Sequence, residues 1–179
     1  MKIFDCFMYF DEDMILDLRL NILNKYVDNF VIVESIYNHK GEKRKLKFNP
    51  KKFESFREKI IYLVHDEIPL EIESISNNDS ESEKSGKLIM NALYRESGQR
   101  NFIMNGLKNA NSEDIILISD VDEIPNLENI IFDKIKKKII FFNQDMLYYK
   151  FNLKLPNLTW TGTRGCKKNI LKVLNGLEI

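Results

Sequence analysis

The stretch IILISDVDEIP, residues 115–125, runs an apolar segment straight into Asp120, Asp122 and Glu123. Carboxylates this close repel, and one drawn out of water at the end of a buried strand needs a positive partner. Two aspartates at i and i+2 can face one small volume when the chain turns just past a strand. Hard divalent cations take oxygen ligands, and Mg2+ or Mn2+ commonly bridges one or two carboxylates to substrate phosphates. Asp120 and Asp122 are therefore a candidate metal site suited to a nucleotide diphosphate, with the ion neutralising the leaving group as a Lewis acid. The alternative is structural: Asp122 or Glu123 caps a helix that begins near Pro125.

Other residues bear on the choice. In YRESGQRNFIMNGL (94–107), Arg95, Gln99 and Arg100 cluster ahead of an apolar helical face. Arginine grips phosphate in a bidentate way, although the same cluster also suits a solvated turn. His65 closes a strand, where it is either a nucleotide contact or a partly buried imidazole. Trp160 sits in TWTGTRG, as a platform for a sugar ring or as a core anchor. Arg164 is positioned for a phosphate or a sugar hydroxyl, or for an exposed rim. Glu123 and Asp145 are the candidate general bases, should an acceptor hydroxyl have to lose its proton.

These residues must be held by regular elements. KIFDCFMYF (2–10) reads as a first strand. Residues 11–27 follow at helical spacing, with Met14, Leu18 and Ile22 on one face and acidic residues at the start. NFVIVES (29–35) and IIYLVHD (60–66) read as buried parallel strands, with a basic loop at 36–48 and a Pro50-started helix at 50–59 between them. The Ser/Asn/Asp/Glu-rich run 67–88 reads as a loop, and 89–111 as one helix or a broken pair. Residues 113–120 form a fourth strand and 125–138 a short helix ending in a solvated Lys136–Lys138. Long or paired strands are expected over 139–156. A Gly-punctuated loop and a helix over 167–175 complete the chain. The alternation predicts an α/β sandwich on a mostly parallel central sheet. Ligands bind outside the carboxyl ends of such strands. Asp11, Glu34 with Ser35, His65 with Asp66, and Asp120 with Asp122 should then share one edge.

The bulk numbers narrow the class. The 179 residues suit one domain, and 44% hydrophobic with 30% charged residues suit a soluble globular protein. Lys plus Arg equals Asp plus Glu at 27 each, which gives no case for a nucleic-acid partner. Cys6 and Cys166 make no disulfide framework. No apolar run is long enough to span a bilayer and no signal-peptide pattern opens the chain, so a cytoplasmic location is expected.

The segments KIFDCFMYFDEDMILDLRLNIL, FVIVES, QRNFIMNGL, ISDVDEIP and WTGTRGC occur in this order over nearly the whole chain. Together they resemble glycosyltransferase family 17. The resemblance implies a GT-A-like, Rossmann-type nucleotide-sugar fold. It also implies a UDP-sugar donor with GlcNAc as the sugar, inversion at the anomeric carbon, and a glycan or glycoprotein acceptor. It assigns Mn2+ or Mg2+ to Asp120 and Asp122, nucleoside contact to Glu34 with Ser35, and a donor-side helix start to Gln99, Arg100 and Asn101. The family's catalytic domain extends further than Ile179. Residues 1–179 are therefore expected to be a single GT-A-like domain lacking that domain's C-terminal part. Two other readings compete. A haloacid-dehalogenase-type phosphatase also starts from an apolar strand and Asp-x-Asp, but places it after the first strand. A non-catalytic nucleotide-sugar-binding protein, or a subunit of a larger complex, fits the short C-terminus.

Overall fold

A computed structural model describes residues 1–150 and 152–171. Its frame is a six-stranded sheet: β1 (Ile3–Tyr9), β2 (Asn29–Ser35), β3 (Ile60–His65), β4 (Ile115–Ser119), β5 (Ile139–Leu147) and β6 (Lys154–Lys167). The order is β3-β2-β1-β4-β6-β5. β1, β2, β3 and β4 are mutually parallel, and β6 runs antiparallel to both β4 and β5. The mostly parallel α/β sheet is thus observed. β-Branched runs form its centre because a parallel strand is covered on both faces; in β2, Phe30 to Val33 have no accessible surface.

One face packs under α1 (Asp13–Leu23) and the 3-10 segment Pro50–Lys59, with Phe7, Leu16, Leu20, Phe30 and Leu117 in its core. The other face packs under the C-terminal end of α2 (Glu81–Phe102) and the 3-10 turn Ile103–Leu107, with Phe4, Val31, Ile103 and Ile116. Cys6 and Cys166 are buried free thiols. No helix among the described residues is long and apolar enough to cross a membrane.

Several local expectations are corrected. In α1 the buried face is Leu16, Arg19, Leu20 and Leu23, whereas Met14, Leu18 and Ile22 are exposed, Met14 by 71%. The helix carries two apolar stripes, and the one that packs surrounds an arginine whose donors are all satisfied. α2 starts at Glu81 rather than 89, because Ser80 and Glu83 close a capping box. Residues 125–138 hold only a 3-10 turn, Phe132–Lys134. Asn129 takes φ 67°, a value no right-handed helix contains, and Leu127 and Phe132 are buried from an irregular path. The Gly-punctuated segment after 157 is not a loop but most of β6. Residues 168–170 form a turn, and the remainder of the helix expected over 167–175 lies outside the described residues.

Candidate active site

The strand order reverses direction of growth at β1, with β2 on one side and β4 on the other. Such a switch point opens a crevice at the carboxyl ends of the strands. A cavity of about 800 Å³ lies there, lined by Tyr9, Glu12, His39, Gln99, Asp120 and Asp122 among others. Register brings the strand ends together: Tyr9 pairs with Glu34, Glu34 with Val64, and Phe7 with Ser119.

Asp120 and Asp122 are exposed at this crevice. The positive group expected beside them has two parts. The Arg100 guanidinium lies 3.3 Å from Asp120 Oδ1 and 2.9 Å from Glu96 Oε1. The other part is Arg19, which is wholly buried. Its guanidinium takes both oxygens of buried Asp5, at 2.8 and 2.7 Å, and donates to Ser119 Oγ at 2.6 Å. Its Nη1 reaches the carbonyl oxygens of Asp120, Val121 and Glu123 at 2.9, 3.1 and 3.1 Å. The acidic turn is therefore held by its backbone, while its two aspartate carboxylates face the crevice.

Glu123 also ties the turn together. Its carboxylate accepts from the Asp120 amide at 3.0 Å and from Trp160 Nε1 at 2.6 Å. Its carbonyl accepts from Thr163 Oγ1 at 2.7 Å. β6 approaches the turn closely at Gly162, where a Cβ would stand 2.1 Å from Gln144 Oε1 and 2.9 Å from Glu123 Cδ and would displace those side chains. Glu123 thus serves as the cap that the structural alternative placed there, but for the turn rather than for a helix. Asp145 lies on the β5–β6 ribbon in an exposed pair with Lys154 at 2.6 Å. Trp160, 44% exposed, and Arg164, opposite Ile118 and Phe141, are on β6.

The remaining expected residues divide by burial. Glu34 has no accessible surface, and its carboxylate accepts from Arg44 Nη1, the Lys47 and Phe48 amides and the Tyr62 hydroxyl. It fastens loop 36–48 rather than facing the crevice. Ser35 is buried and accepts from the Tyr37 amide. His65 is 3% exposed, and burial lowers its pKa against the opposing pull of Glu67 and Asp66. Gln99 lines the crevice and donates to the Val33 carbonyl at 2.9 Å. Asn101 Oδ1 is buried without a hydrogen-bond partner among the described residues.

Arg19 and the loop residues Asn38, His39, Lys40 and Glu42, which line the crevice, were not singled out from sequence. The loop follows the carboxyl end of β2, which is the available signal. Arg44 holds it to the β1–α1 connection through the Phe10 carbonyl, and Arg95 holds it to α2 through the His39 carbonyl. Among the described residues no group of three or more His, Cys, Asp or Glu side chains is arranged to hold a metal by itself.

The family model for glycosyltransferase family 17 matches residues 1–169. The chain belongs to this family. It is 28% identical over 171 residues to the β-1,4-mannosyl-glycoprotein 4-β-N-acetylglucosaminyltransferase of Homo sapiens, covering 92% of this chain and 30% of that protein. The Rattus norvegicus protein of the same name is also 28% identical, with 92% of this chain and 29% of the relative covered. The chain therefore spans about 30% of the length of these relatives.

Proposed function

We propose that this chain binds the donor of, and carries out, an inverting N-acetylglucosaminyl transfer from a UDP-sugar with Mn2+ or Mg2+. The observation that carries the reading is the pair Asp120 and Asp122, facing one crevice at the switch point of a family-17 chain. Two hard oxygen donors, with no third His, Cys, Asp or Glu grouped with them among the described residues, suit a cation that completes its shell from a diphosphate and water. When bound, such an ion supplies Lewis-acid neutralisation of the leaving diphosphate. Arg100, at Asp120, adds a fixed positive charge on the same side. The relatives' name specifies a 4-β-linked product on a mannosyl glycoprotein. Forming it from an α-linked UDP-GlcNAc requires inversion, hence a base on the acceptor hydroxyl. Both oxygens of Glu123 are engaged and Asp145 is paired with Lys154, so in this reading Glu123 is a positioning group that aligns Trp160 with the turn.

A second reading, donor binding without transfer, is favoured by those engaged carboxylates, since Glu123 and Asp145 both already hold partners. Incubation with UDP-GlcNAc, Mn2+ and a mannosyl-glycopeptide acceptor distinguishes the two. Mass gain of the acceptor by one N-acetylhexosamine is the expected result. Donor binding with no acceptor product contradicts transfer and selects the second reading.

A further inference from the structure

We infer that Arg19 is the positioning residue that sets the geometry of the Asp120–Asp122 turn for its ligand; the inference rests on the donor-site reading above. A buried ion pair is weak evidence of stabilisation, since well-packed apolar residues of similar volume often serve as well or better. The Arg19–Asp5 pair is fully buried and bidentate at 2.7 and 2.8 Å. What an apolar replacement could not supply is the rest of the fork. One Nη holds three carbonyls of a four-residue stretch, Asp120, Val121 and Glu123. The other holds Ser119 Oγ, at the last residue of β4. The guanidinium also stacks over Phe7, 4.5 Å from the ring centroid, which fixes its plane.

Charge explains the division of labour. A guanidinium next to Asp120 and Asp122 would ordinarily pair with those carboxylates and remove them from the crevice. Asp5 occupies the carboxylate-binding edge of the fork instead. The buried pair is neutral overall, so Arg19 holds the turn through its carbonyl dipoles and leaves both carboxylates at the crevice, where Arg100 meets Asp120. The turn's own bonds are few: Glu123 N to Asp120 O, Ile124 N to Asp122 O, and the Asp120 amide to the Glu123 carboxylate. None of these fixes the turn to α1; Arg19 does.

Arg19→Lys tests this, because an ammonium keeps the charge but cannot span the fork. Two readouts are needed: hydrogen exchange of amides 119–124, and the Mn2+ concentration required for half-maximal UDP binding. The expected result is faster exchange confined to 119–124 and a rise of about ten- to hundredfold in the Mn2+ requirement, as for lost groups that orient metal ligands. Leu16→Ala, on the same buried face of α1, is the control; it lowers thermal stability but leaves the Mn2+ requirement unchanged. A folded Arg19→Lys with wild-type exchange and wild-type Mn2+ requirement overturns the inference. Should that variant not fold, Ser119→Ala removes one partner alone and is expected to raise the Mn2+ requirement about two- to tenfold; no change overturns the inference. Absence of Mn2+-dependent UDP binding in the wild type contradicts the donor-site reading itself. The exchange data then judge the hold on the turn alone, and unchanged exchange in Arg19→Lys overturns it.

Discussion

The His65 imidazole closes β3 almost without solvent contact, and its Nδ1 has no partner among the described residues. Burial lowers its pKa, so the native state resists a proton that the unfolded chain accepts at about pH 6.5. With more protons bound in the unfolded state, stability rises with pH across this window. It is full above the ordinary imidazole range, falls as pH drops through it, and levels off below the folded pKa. Urea unfolding between about pH 7.5 and pH 5 should show this slope in the wild type and lose it in His65→Gln; equal slopes would contradict it. The sequence placed His65 at a strand end and offered two roles, and burial favours the structural one. The place of Asp120 and Asp122 just past a buried strand was legible from the apolar run that precedes them. Arg19 was not, because an arginine in a helical pattern ordinarily faces water; only its spacing with Leu16, Leu20 and Leu23 signals otherwise.

Loop 36–48 forms a wall of the crevice, and one carboxylate gathers several of its ties. Glu34 accepts from two loop amides, Arg44 and Tyr62, and Phe48 stacks on Tyr62 at 4.4 Å. Glu34→Ala removes the carboxylate partner of a largely buried arginine and of two amides, a change expected to cost about 3–5 kcal/mol in chemical denaturation and to speed proteolysis within the loop. A cost below about 1 kcal/mol, the worth of an exposed pair, would contradict this role. The buried strands were legible from their apolar runs, and so was the existence of α1. The start of α2 was missed because its first two turns are Ser/Glu/Lys-rich and read as loop, although the Ser80–Glu83 box is itself a start signal. β6 was missed because Gly162 and Gly165 suggested a loop. Both allow close approach instead: a Cβ at Gly165 would lie 2.8 Å from Leu117 Cδ2.

At the level of the whole molecule, alternating strands and helices foretold the sheet, and the ends of β1 and β4 form its switch point. That topology brings residues from β1, loop 36–48, α2 and the turn after β4 around one cavity, though they are far apart in sequence. The sequence could not indicate how Glu123, Gln144, Trp160 and Thr163 join β5 and β6 to the acidic turn, because those contacts depend on the antiparallel register of β6. The relatives that match 92% of this chain are named as N-acetylglucosaminyltransferases. In the proposed function, Asp120 and Asp122 bind a nucleotide diphosphate through a divalent cation. Calorimetric titration of UDP into the chain, with and without Mn2+ and with Asp122→Ala alongside, tests it most directly. The expected result is binding that requires Mn2+ and is lost in the variant; binding that ignores Mn2+, no binding at all, or binding unchanged by Asp122→Ala would contradict it.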